Sequence, residues 1–281
     1  MVPAVPESSR RPGALVVCPT PIGNLADVTL RLLDELRAAD VVACEDTRRT
    51  RILLERHGIS VPVLAVHEHN EAARAPELVE RIRAGERVAL ATDAGMPAVS
   101  DPGARIVAAV AAAGLPVTVL PGPSAVTAAV AASGLGGGGF VFAGFLPRPA
   151  AKAAAEVRRL DASGLPVVAF ESPQRLAATL AALAAADPGR EAVVCRELSK
   201  LHEQVRRGTL ADLAETFAKA PKGEVTIVLA AVPVTPGGAA DVPADALAEL
   251  VAAFGSRRAA ALASRLTGVP RNQLYQAATK P

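Results

Sequence analysis

Apolar and polar positions along the chain predict strands and helices that follow one another in regular alternation. Short apolar runs predict strands at Leu15–Cys18, Val41–Cys44, Val61–Val66, Arg87–Thr92 and Val117–Leu120. Amphipathic or alanine-rich segments between them predict helices at Leu30–Ala38, Arg48–Arg56, Glu71–Ala84, Ala104–Ala113 and Ser124–Ser133. This alternation predicts an α/β domain with right-handed crossovers between its strands.

A second α/β series follows the glycine run at 136–139. Strands are predicted in the segment FVFAGFLPR and at Pro166–Phe170, Ala192–Arg196 and Val225–Ala231, with helices at Pro173–Ala186 and Leu210–Lys219. The predicted organisation is a loose leader at 1–13, an N-terminal α/β domain at 14–135 and a second α/β domain at 140–232.

Residues 241–281 are predicted to form a helical tail after a stretch rich in proline and glycine. Its predicted helices are Ala244–Phe254, Arg257–Leu266 and Arg271–Ala278, with Ser256 as the N-cap of the middle one. Short helices with a tight turn and five basic against three acidic side chains are typical of a helix-turn-helix-like module. A packing appendage or a dimer arm is an equally open interpretation.

Composition bears on the core and on the compartment. The chain is 51% hydrophobic but has no Trp and one Tyr, so its core must be aliphatic. Cys18, Cys44 and Cys195 are far apart in apolar runs, which indicates buried thiols in a reducing compartment. The first residues lack the apolar segment of a signal peptide, and a cytoplasmic protein is expected. A net charge of +2 is lower than that of many RNA-binding proteins.

The segment Ile106–Pro147 carries no charge and no histidine. A membrane-spanning helix needs about 20 uninterrupted apolar residues, and glycines and prolines divide this segment into shorter pieces. We therefore expect no membrane span, and we expect these residues to be buried on both faces of a parallel sheet.

Polar loops follow the carboxyl ends of the predicted strands, where ligands collect in open α/β sheets. In chain order they read PTPIGN, CEDTRRT, VHEHNE, ATDAGMPAVSDPG and PGPSA, then FESPQR and RELSKLHE. The first loop has the single glycine Gly23, so it matches neither the dinucleotide-binding nor the P-loop pattern. Its prolines favour a rigid wall over a cradle of backbone amides for phosphate.

Several charged or polar residues in these loops have two interpretations. Asp93 could accept hydrogen bonds from a ligand or form a turn, and Ser124 suits a helix N-cap. The cluster at 45–48 could be a solvated helix start, although Arg48 also suits a phosphate. The charged residues at 196–203 could form surface salt bridges or lie near a phosphate. His67 and His69 share a strand face, but no third ligand accompanies them, and no metal is expected.

Taken in order, PTPIGNLAD, EDTR, DAGMPAVSDPG, PGPSA, ESPQR and REL-K-HE resemble the RsmI-type family, from about Leu15 to Leu229. That family comprises bacterial rRNA 2′-O-methyltransferases of the tetrapyrrole-methylase fold (class III). The resemblance implies two α/β domains with a cofactor cleft between them, plus a C-terminal helical module. It implies that S-adenosyl-L-methionine (SAM) is the cofactor and that the product is a methylated ribose on a decoding-centre cytidine of 16S rRNA.

The resemblance also implies roles for individual residues. The cofactor-binding set is Pro21, Gly23, Asp93, Gly95, Met96, Ser124 and Ala125. The substrate-binding set is Arg48, Arg175, Arg196 and Glu203. Candidates for the catalytic base are Lys200, Glu45 and Asp46, with Glu203 as a further one.

A homodimer acting on the assembled small ribosomal subunit is expected. The alternatives are a methylase of this fold acting on a tetrapyrrole or a protein side chain, and a non-catalytic ribosome-binding protein.

Overall fold

The computed structural model describes residues 12–233 and 242–279. Most of the predicted leader at 1–13 and the first residue of the predicted tail lie outside the described residues. Five parallel strands form the first sheet in the order β3-β2-β4-β1-β5. They are β1 (Ala14–Cys18), β2 (Val41–Cys44), β3 (Val63–Ala65), β4 (Arg87–Ala91) and β5 (Val117–Val119).

Helices cover both faces of the first sheet, as the near-continuous apolar strands require. They are α1 (Leu30–Ala38), α2 (Thr47–Arg56), α3 (Glu71–Arg83) and α4 (Ala104–Ala112). Alternate residues of β1 point to opposite faces. Leu15 and Val17 pack with α3 and α4, whereas Val16 and Cys18 pack with α1 and α2. The predicted doubly covered α/β layer is confirmed.

The second sheet has the order β6-β7-β10-β8-β9, and β6 and β7 are its parallel pair. Its strands are β6 (Val141–Phe145), β7 (Val167–Glu171), β8 (Glu191–Arg196), β9 (Gln204–Thr209) and β10 (Val225–Leu229). One face packs on α6 (Ala150–Asp161), α7 (Pro173–Ala186) and α8 (Leu210–Thr216). The sequence did not predict β9, because QVRRGT is a polar edge strand without an apolar run.

The charge-free segment Ile106–Pro147 joins the two sheets. The expectation that its elements are buried on both faces of a parallel sheet is wrong, because β5 and β6 are partly buried edge strands of different sheets. Between them, α5 (Ala125–Ser133) packs on the second sheet through Val126 and Ala129. No helix in the described residues is long and apolar enough to span a bilayer.

Three helices of the tail pack around a small core of their own. They are α9 (Ala244–Phe254), α10 (Ser256–Thr267) and α11 (Arg271–Thr279). The core includes Leu247, Ala260 and Leu274. The predicted N-cap at Ser256 is wrong, because Gly255 takes the cap position with φ of 73° and Ser256 begins the helix. A helical tail with its own core is the arrangement of an appended module.

Candidate functional site

A cavity of about 300 Å³ lies between the two sheets. On the first sheet it is lined by the loops that follow the carboxyl ends of β1, β2, β4 and β5. Six residues predicted as site residues line it, namely Glu45, Asp93, Gly95, Met96, Ser124 and Ala125. The structure therefore brings together residues that lie up to 80 positions apart in the sequence.

The loops after β1 and β4 are joined by their backbones. The amide of Thr20 donates to the carbonyl of Gly95 at 2.9 Å, and the amide of Gly95 donates to the carbonyl of Thr20 at 3.0 Å. The Thr20 hydroxyl donates to the carbonyl of Thr92 at 3.0 Å. Gly95 has φ of 85°, a conformation that residues with a Cβ atom rarely adopt. The proline-rich first loop is thus held as one edge of the cavity.

Two other glycines allow close approach between loops. A Cβ atom on Gly122 would lie 2.4 Å from Cγ of Pro19, so the loops after β5 and β1 are in direct contact. A Cβ atom on Gly23 would lie 2.4 Å from Cγ of Lys200 and 2.9 Å from the carbonyl oxygen of Leu198. Gly23 therefore joins the first loop to the loop after β8. Gly23 and the buried Pro21 contribute to the frame of the cavity and are not among the residues that line it.

Acidic side chains from several elements converge on the cavity. They are Glu45, Asp93, Asp101 and Glu224. Asp93 accepts a hydrogen bond from the backbone amide of Asp46 at 3.0 Å through Oδ1, and its Oδ2 lies 3.4 Å from Nε of Arg49. Arg49 also lines the cavity. The sequence did not single out Asp101, Glu224 or Arg49, because only the fold brings them beside Asp93.

The convergence of carboxylates changes their acidity. Burial, followed by the nearby charges of Glu45, Asp93 and Glu224, raises the pKa of Asp101 from 3.8 to about 7. Burial also raises the pKa of Glu45, with the charge of Asp93 as the next contribution. A cavity in which carboxylates are held together is favourable for a positively charged ligand.

The second sheet supplies an apolar wall opposite these carboxylates. Phe145, Phe170, Cys195 and Val225 line this side, and the rings of Phe145 and Phe170 have centroids 5.4 Å apart. Burial raises the pKa of the Cys195 thiol to about 11, so this thiol stays protonated near neutral pH. The sequence did not predict this wall, because apolar residues in strands are typical of the hydrophobic core.

Asp46 and Arg48 are at the start of α2 and do not line the cavity. Asp46 is the N-cap of this helix and accepts from the amide of Arg48 at 2.9 Å. The guanidinium of Arg48 donates to Asp46 at 3.1 Å from Nε and 2.8 Å from an Nη atom. These hydrogen bonds lower the pKa of Asp46 to about 2. The Arg48 side chain is 85% exposed, so it remains accessible from solvent.

Lys200 is paired with two carboxylates at the rim. Its Nζ atom lies 2.8 Å from Oε1 of Glu197 and 2.9 Å from Oε2 of Glu224. Burial lowers the pKa of Lys200, but the hydrogen bonds to the two carboxylates outweigh it, so the pKa is raised overall. Hydrogen bonding to Lys200 lowers the pKa of Glu197. Lys200 is therefore a protonated cation at neutral pH.

The other predicted substrate residues have structural partners and do not line the cavity. Arg175 forms an ion pair with Glu171 and donates to the carbonyl of Leu146 at 3.1 Å. Arg196 donates to the side chain of Gln204 at 3.1 Å. Glu203 accepts from the amide of Ser199 at 2.6 Å. Their contact with a substrate stays a prediction.

Within the described residues, no group of three His, Cys, Asp or Glu side chains is arranged to hold a metal ion. The rings of His67 and His69 are edge-to-face with centroids 6.0 Å apart.

Comparison with solved structures identifies the class of fold. The chain is similar to cobalt precorrin-4 methyltransferase, a cobalamin biosynthetic enzyme, with a TM-score of 0.58 at 20% identity over 80% of this chain and 97% of that one. It is similar to diphthine synthase with a TM-score of 0.60 at 19% identity, over 77% of this chain and 90% of the other. At this level of identity the likeness shows the fold, which is that of the class III methylases predicted from the loops.

Sequence comparison then places the chain within that class. Residues 14–214 match the profile of the tetrapyrrole (corrin/porphyrin) methylases, and residues 237–280 match that of the RsmI C-terminal HTH domain. Proteins named ribosomal RNA small subunit methyltransferase I are 45% identical in Mesorhizobium japonicum and 42% identical in Thermotoga maritima. The first match covers 94% of this chain and 90% of the relative, and the second covers 77% and 98%. The chain therefore belongs to the tetrapyrrole methylases and, among them, to the RsmI family of small-subunit rRNA methyltransferases.

Proposed function

We propose that the protein transfers the methyl group of SAM to the 2′-oxygen of a decoding-centre cytidine in 16S rRNA. The observation that carries this proposal is the acidic cavity between the two sheets, in a chain closely similar to proteins named ribosomal RNA small subunit methyltransferase I. Cofactor sites prefer concave clefts at the carboxyl ends of strands and between domains.

The chemistry of the cavity fits SAM, which carries a sulfonium and an ammonium group and no phosphate. Carboxylates favour the cationic groups, and the apolar wall suits the adenine ring. Asp93, Gly95, Met96, Ser124 and Ala125 are the residues proposed to hold it. When bound, SAM supplies a methyl group on a positively charged sulfur. Pro21 and Gly23 support the site through the frame of the first loop.

The side chains proposed for RNA binding surround the cavity without lining it. Arg48 is exposed beside the loop that carries Glu45, and its planar guanidinium suits a phosphate oxygen pair. Arg175, Arg196 and Glu203 are proposed to lie on the same substrate side. The helical tail carries Arg257, Arg258, Arg265 and Arg271, which supports a role in RNA binding.

The ion pairs and pKa shifts of the candidate residues indicate which of them is best suited to act as the base. Lys200 is doubly ion-paired and protonated, and Asp46 is held as a weak base by Arg48. Glu45 lines the cavity and has a raised pKa, so it is better suited to act as the base than Lys200 or Asp46. Lys200 is better suited to holding Glu197 and Glu224 in position at the rim.

The same proposal extends to the substrate particle, the oligomeric state, the compartment and the domain boundaries. A small net charge of +2 gives limited attraction for free RNA, so recognition of the assembled subunit by a homodimer is proposed. The compartment is the cytoplasm, where small subunits are assembled. We place the domain boundaries at 14–135, 140–232 and 241–281.

Incorporation of labelled methyl groups from SAM tests this function. Small subunits that lack the modification should accept label, and fully modified subunits should accept none. Free 16S rRNA serves as the comparison for the assembled particle. Absence of transfer to unmodified subunits by a protein that binds SAM would refute the proposal.

A further inference from the structure

We infer that α10 and α11 form a surface that binds the phosphate backbone of an RNA helix through Arg257, Arg258, Arg265 and Arg271. None of the residues of this arginine surface lines the cavity. The inference rests on the proposed function, because it names the part of the protein that holds the RNA substrate. It adds a contact with RNA that depends neither on base sequence nor on bound SAM.

The net charge of the protein is concentrated in these two helices. The chain carries 30 basic and 28 acidic side chains, and the tail at 241–281 accounts for five and three of them. The acidic residues of the tail, Asp241, Asp245 and Glu249, all precede α10 in the sequence, whereas α10 and α11 carry four arginines and no acidic residue. A surface with one sign of charge favours a partner of the opposite sign, and RNA is the polyanion that the proposed function supplies.

The packing of α10 leaves its arginines on the outer side of the tail. Ala260 and Ala263 are buried in the core that α10 shares with α9 and α11. Arg258 and Arg265 are exposed and lie seven positions apart, which is about two turns of helix, so they share one side of α10. Arg257 is exposed next to them. Three guanidinium groups of one helix can therefore contact the same partner.

The helix α11 adds Arg271 and the single tyrosine of the protein to this surface. The turn before α11 is short, with Gly268 at φ of 75° as the C-cap of α10. Leu274 is fully buried in the core of the tail, while Arg271 and Tyr275 are exposed. Because they are four positions apart, Arg271 and Tyr275 share one side of α11. An exposed aromatic ring beside arginines suits RNA, which offers base and ribose faces as well as phosphates.

The side chains of the four arginines form neither an ion pair nor a hydrogen bond with any of the described residues. Other surface arginines of the protein are paired, such as Arg83 with Glu80 and Arg159 with Glu156. The guanidinium groups of the arginine surface are therefore available to an external anion. Their planar geometry matches two oxygens of one phosphate.

The shape of RNA determines which of its groups this surface can contact. An A-form helix has a deep and narrow major groove that side chains cannot read, so double-stranded RNA is bound mainly through phosphates and ribose hydroxyls. Exposed arginines on two neighbouring helices suit such contacts. Leu262 and Leu266 are also exposed on α10. A protein partner would depend on these leucines, whereas an RNA partner depends on the arginines.

The test measures the affinity of the full-length protein for a short RNA hairpin and for unmodified small subunits at several salt concentrations. Each phosphate contact contributes about 0.7–0.9 to the slope of log affinity against log salt concentration. The double variant Arg258→Gln/Arg265→Gln should therefore lower the slope by about 1.4–1.8. It should also bind about fivefold more weakly, or worse, at low salt. Arg258→Lys/Arg265→Lys keeps both charges, so it should keep the slope and recover part of the affinity.

Arg159→Gln is the matched control, because Arg159 is 67% exposed on α6, and its slope should equal that of wild type. An unchanged slope in Arg258→Gln/Arg265→Gln would overturn the inference. A larger loss of affinity for subunits in Leu262→Ala/Leu266→Ala than in the arginine variant would assign the surface to a protein partner instead. A change of oligomeric state in the arginine variant, measured by sedimentation, would assign it to a second copy of the chain.

Tyr275 provides a measurement that needs no substitution. It is the only tyrosine, and the chain has no tryptophan, so tyrosine fluorescence reports on α11 alone. Bound hairpin RNA should protect this fluorescence from quenching by acrylamide, because the RNA covers the ring. Unchanged quenching at saturating RNA would overturn the inference, even if an arginine variant failed to fold.

These binding measurements do not involve methyl transfer, so they separate the inference from the proposed function. If the arginine surface binds RNA but the protein transfers no methyl group to unmodified subunits, the proposed function fails and the binding surface stands. If methyl transfer occurs and neither the salt slope nor the quenching of Tyr275 responds as expected, only the inference fails.

Discussion

Gly23 lies directly against the side chain of Lys200, and a Cβ atom on the glycine would come within 2.4 Å of Cγ of the lysine. This contact joins the loop after β1 in the first sheet to the loop after β8 in the second. The contact between Asp27 and the hydroxyl of Ser199 joins the same two loops. The cavity is therefore closed at this side by a direct connection between the sheets.

Gly23→Ala should weaken that connection. The added methyl group would overlap with Lys200 Cγ and would lie 2.9 Å from the carbonyl oxygen of Leu198, so at least one loop must shift. Overpacking of this kind destabilises by about 1–3 kcal/mol, measurable by urea unfolding. Lys200→Ala removes the Cγ atom, so the double variant should recover part of the loss. If the double variant loses as much free energy of unfolding as the two single variants together, the methyl group added at Gly23 does not act on Lys200.

Asp93→Ala should weaken SAM binding while the protein stays folded. The change removes a cavity carboxylate, the acceptor for the amide of Asp46 and the partner of Arg49. We expect a loss of affinity of at least about tenfold, or about 1.4 kcal/mol, by calorimetry. Asp34→Ala on α1 is the control and should bind SAM normally. Normal SAM affinity in a folded Asp93→Ala would exclude Asp93 from the cofactor site.

Asp101 should make stability depend on pH. Its pKa is raised from 3.8 to about 7 in the folded protein, so its contribution to stability is complete below pH 3.8 and is lost as pH rises to 7. Asp101→Asn avoids that loss. At pH 8 it should be more stable than wild type by about 1–2 kcal/mol, after allowance for solvent screening of a half-exposed group. At pH 4 the difference should nearly vanish.

Urea unfolding at the two pH values measures this difference directly, with Asp34→Asn as the control for loss of an exposed carboxylate. Stabilisation of equal size at pH 4 and pH 8 would contradict the account. It would show that burial and the neighbouring carboxylates do not raise the pKa of Asp101 in the folded protein.

Deletion of residues 241–281 should leave SAM binding intact and reduce methyl transfer to small subunits. The tail helices have their own core around Leu247, Ala260 and Leu274, and the residues that line the cavity all precede the tail. The Thermotoga maritima relative is matched over 98% of its length by 77% of this chain, so that relative is shorter than this chain. SAM binding by calorimetry and transfer assays on subunits separate the two effects. Loss of SAM affinity in a folded truncation would place the tail in the cofactor site.

Local pattern was sufficient to predict most elements of the fold. The bounds of α1 and α7 match their predictions residue for residue, because each is an uninterrupted helical pattern between clear breaks. The strand β9 was missed, since a polar edge strand lacks the apolar run that identifies buried strands. The segment α5 was placed in the first layer, although it packs on the second sheet, because sequence order does not report tertiary packing.

Site residues could be predicted when they belong to a loop with a distinctive sequence. They could not be predicted when only the fold brings them to the cavity. Asp93 and Gly95 belong to a distinctive loop after a buried strand, and both line the cavity. Asp101 looks like a turn residue in the segment SDPG, and its near-neutral pKa arises from burial in the folded protein and then from the charges of Glu45, Asp93 and Glu224. Glu224 precedes an ordinary core strand. The sequence could therefore not show which residues from distant segments lie close together in the folded protein.

The most direct measurement identifies the methylated nucleoside and its position. Unmodified small subunits are incubated with SAM and the protein, and the rRNA is digested and analysed by mass spectrometry. We predict one new 2′-O-methylcytidine, in a fragment from the decoding centre, and a smaller yield of it with Asp93→Ala when SAM is limiting. A methyl group on a base, on another ribose or on a ribosomal protein would contradict the account.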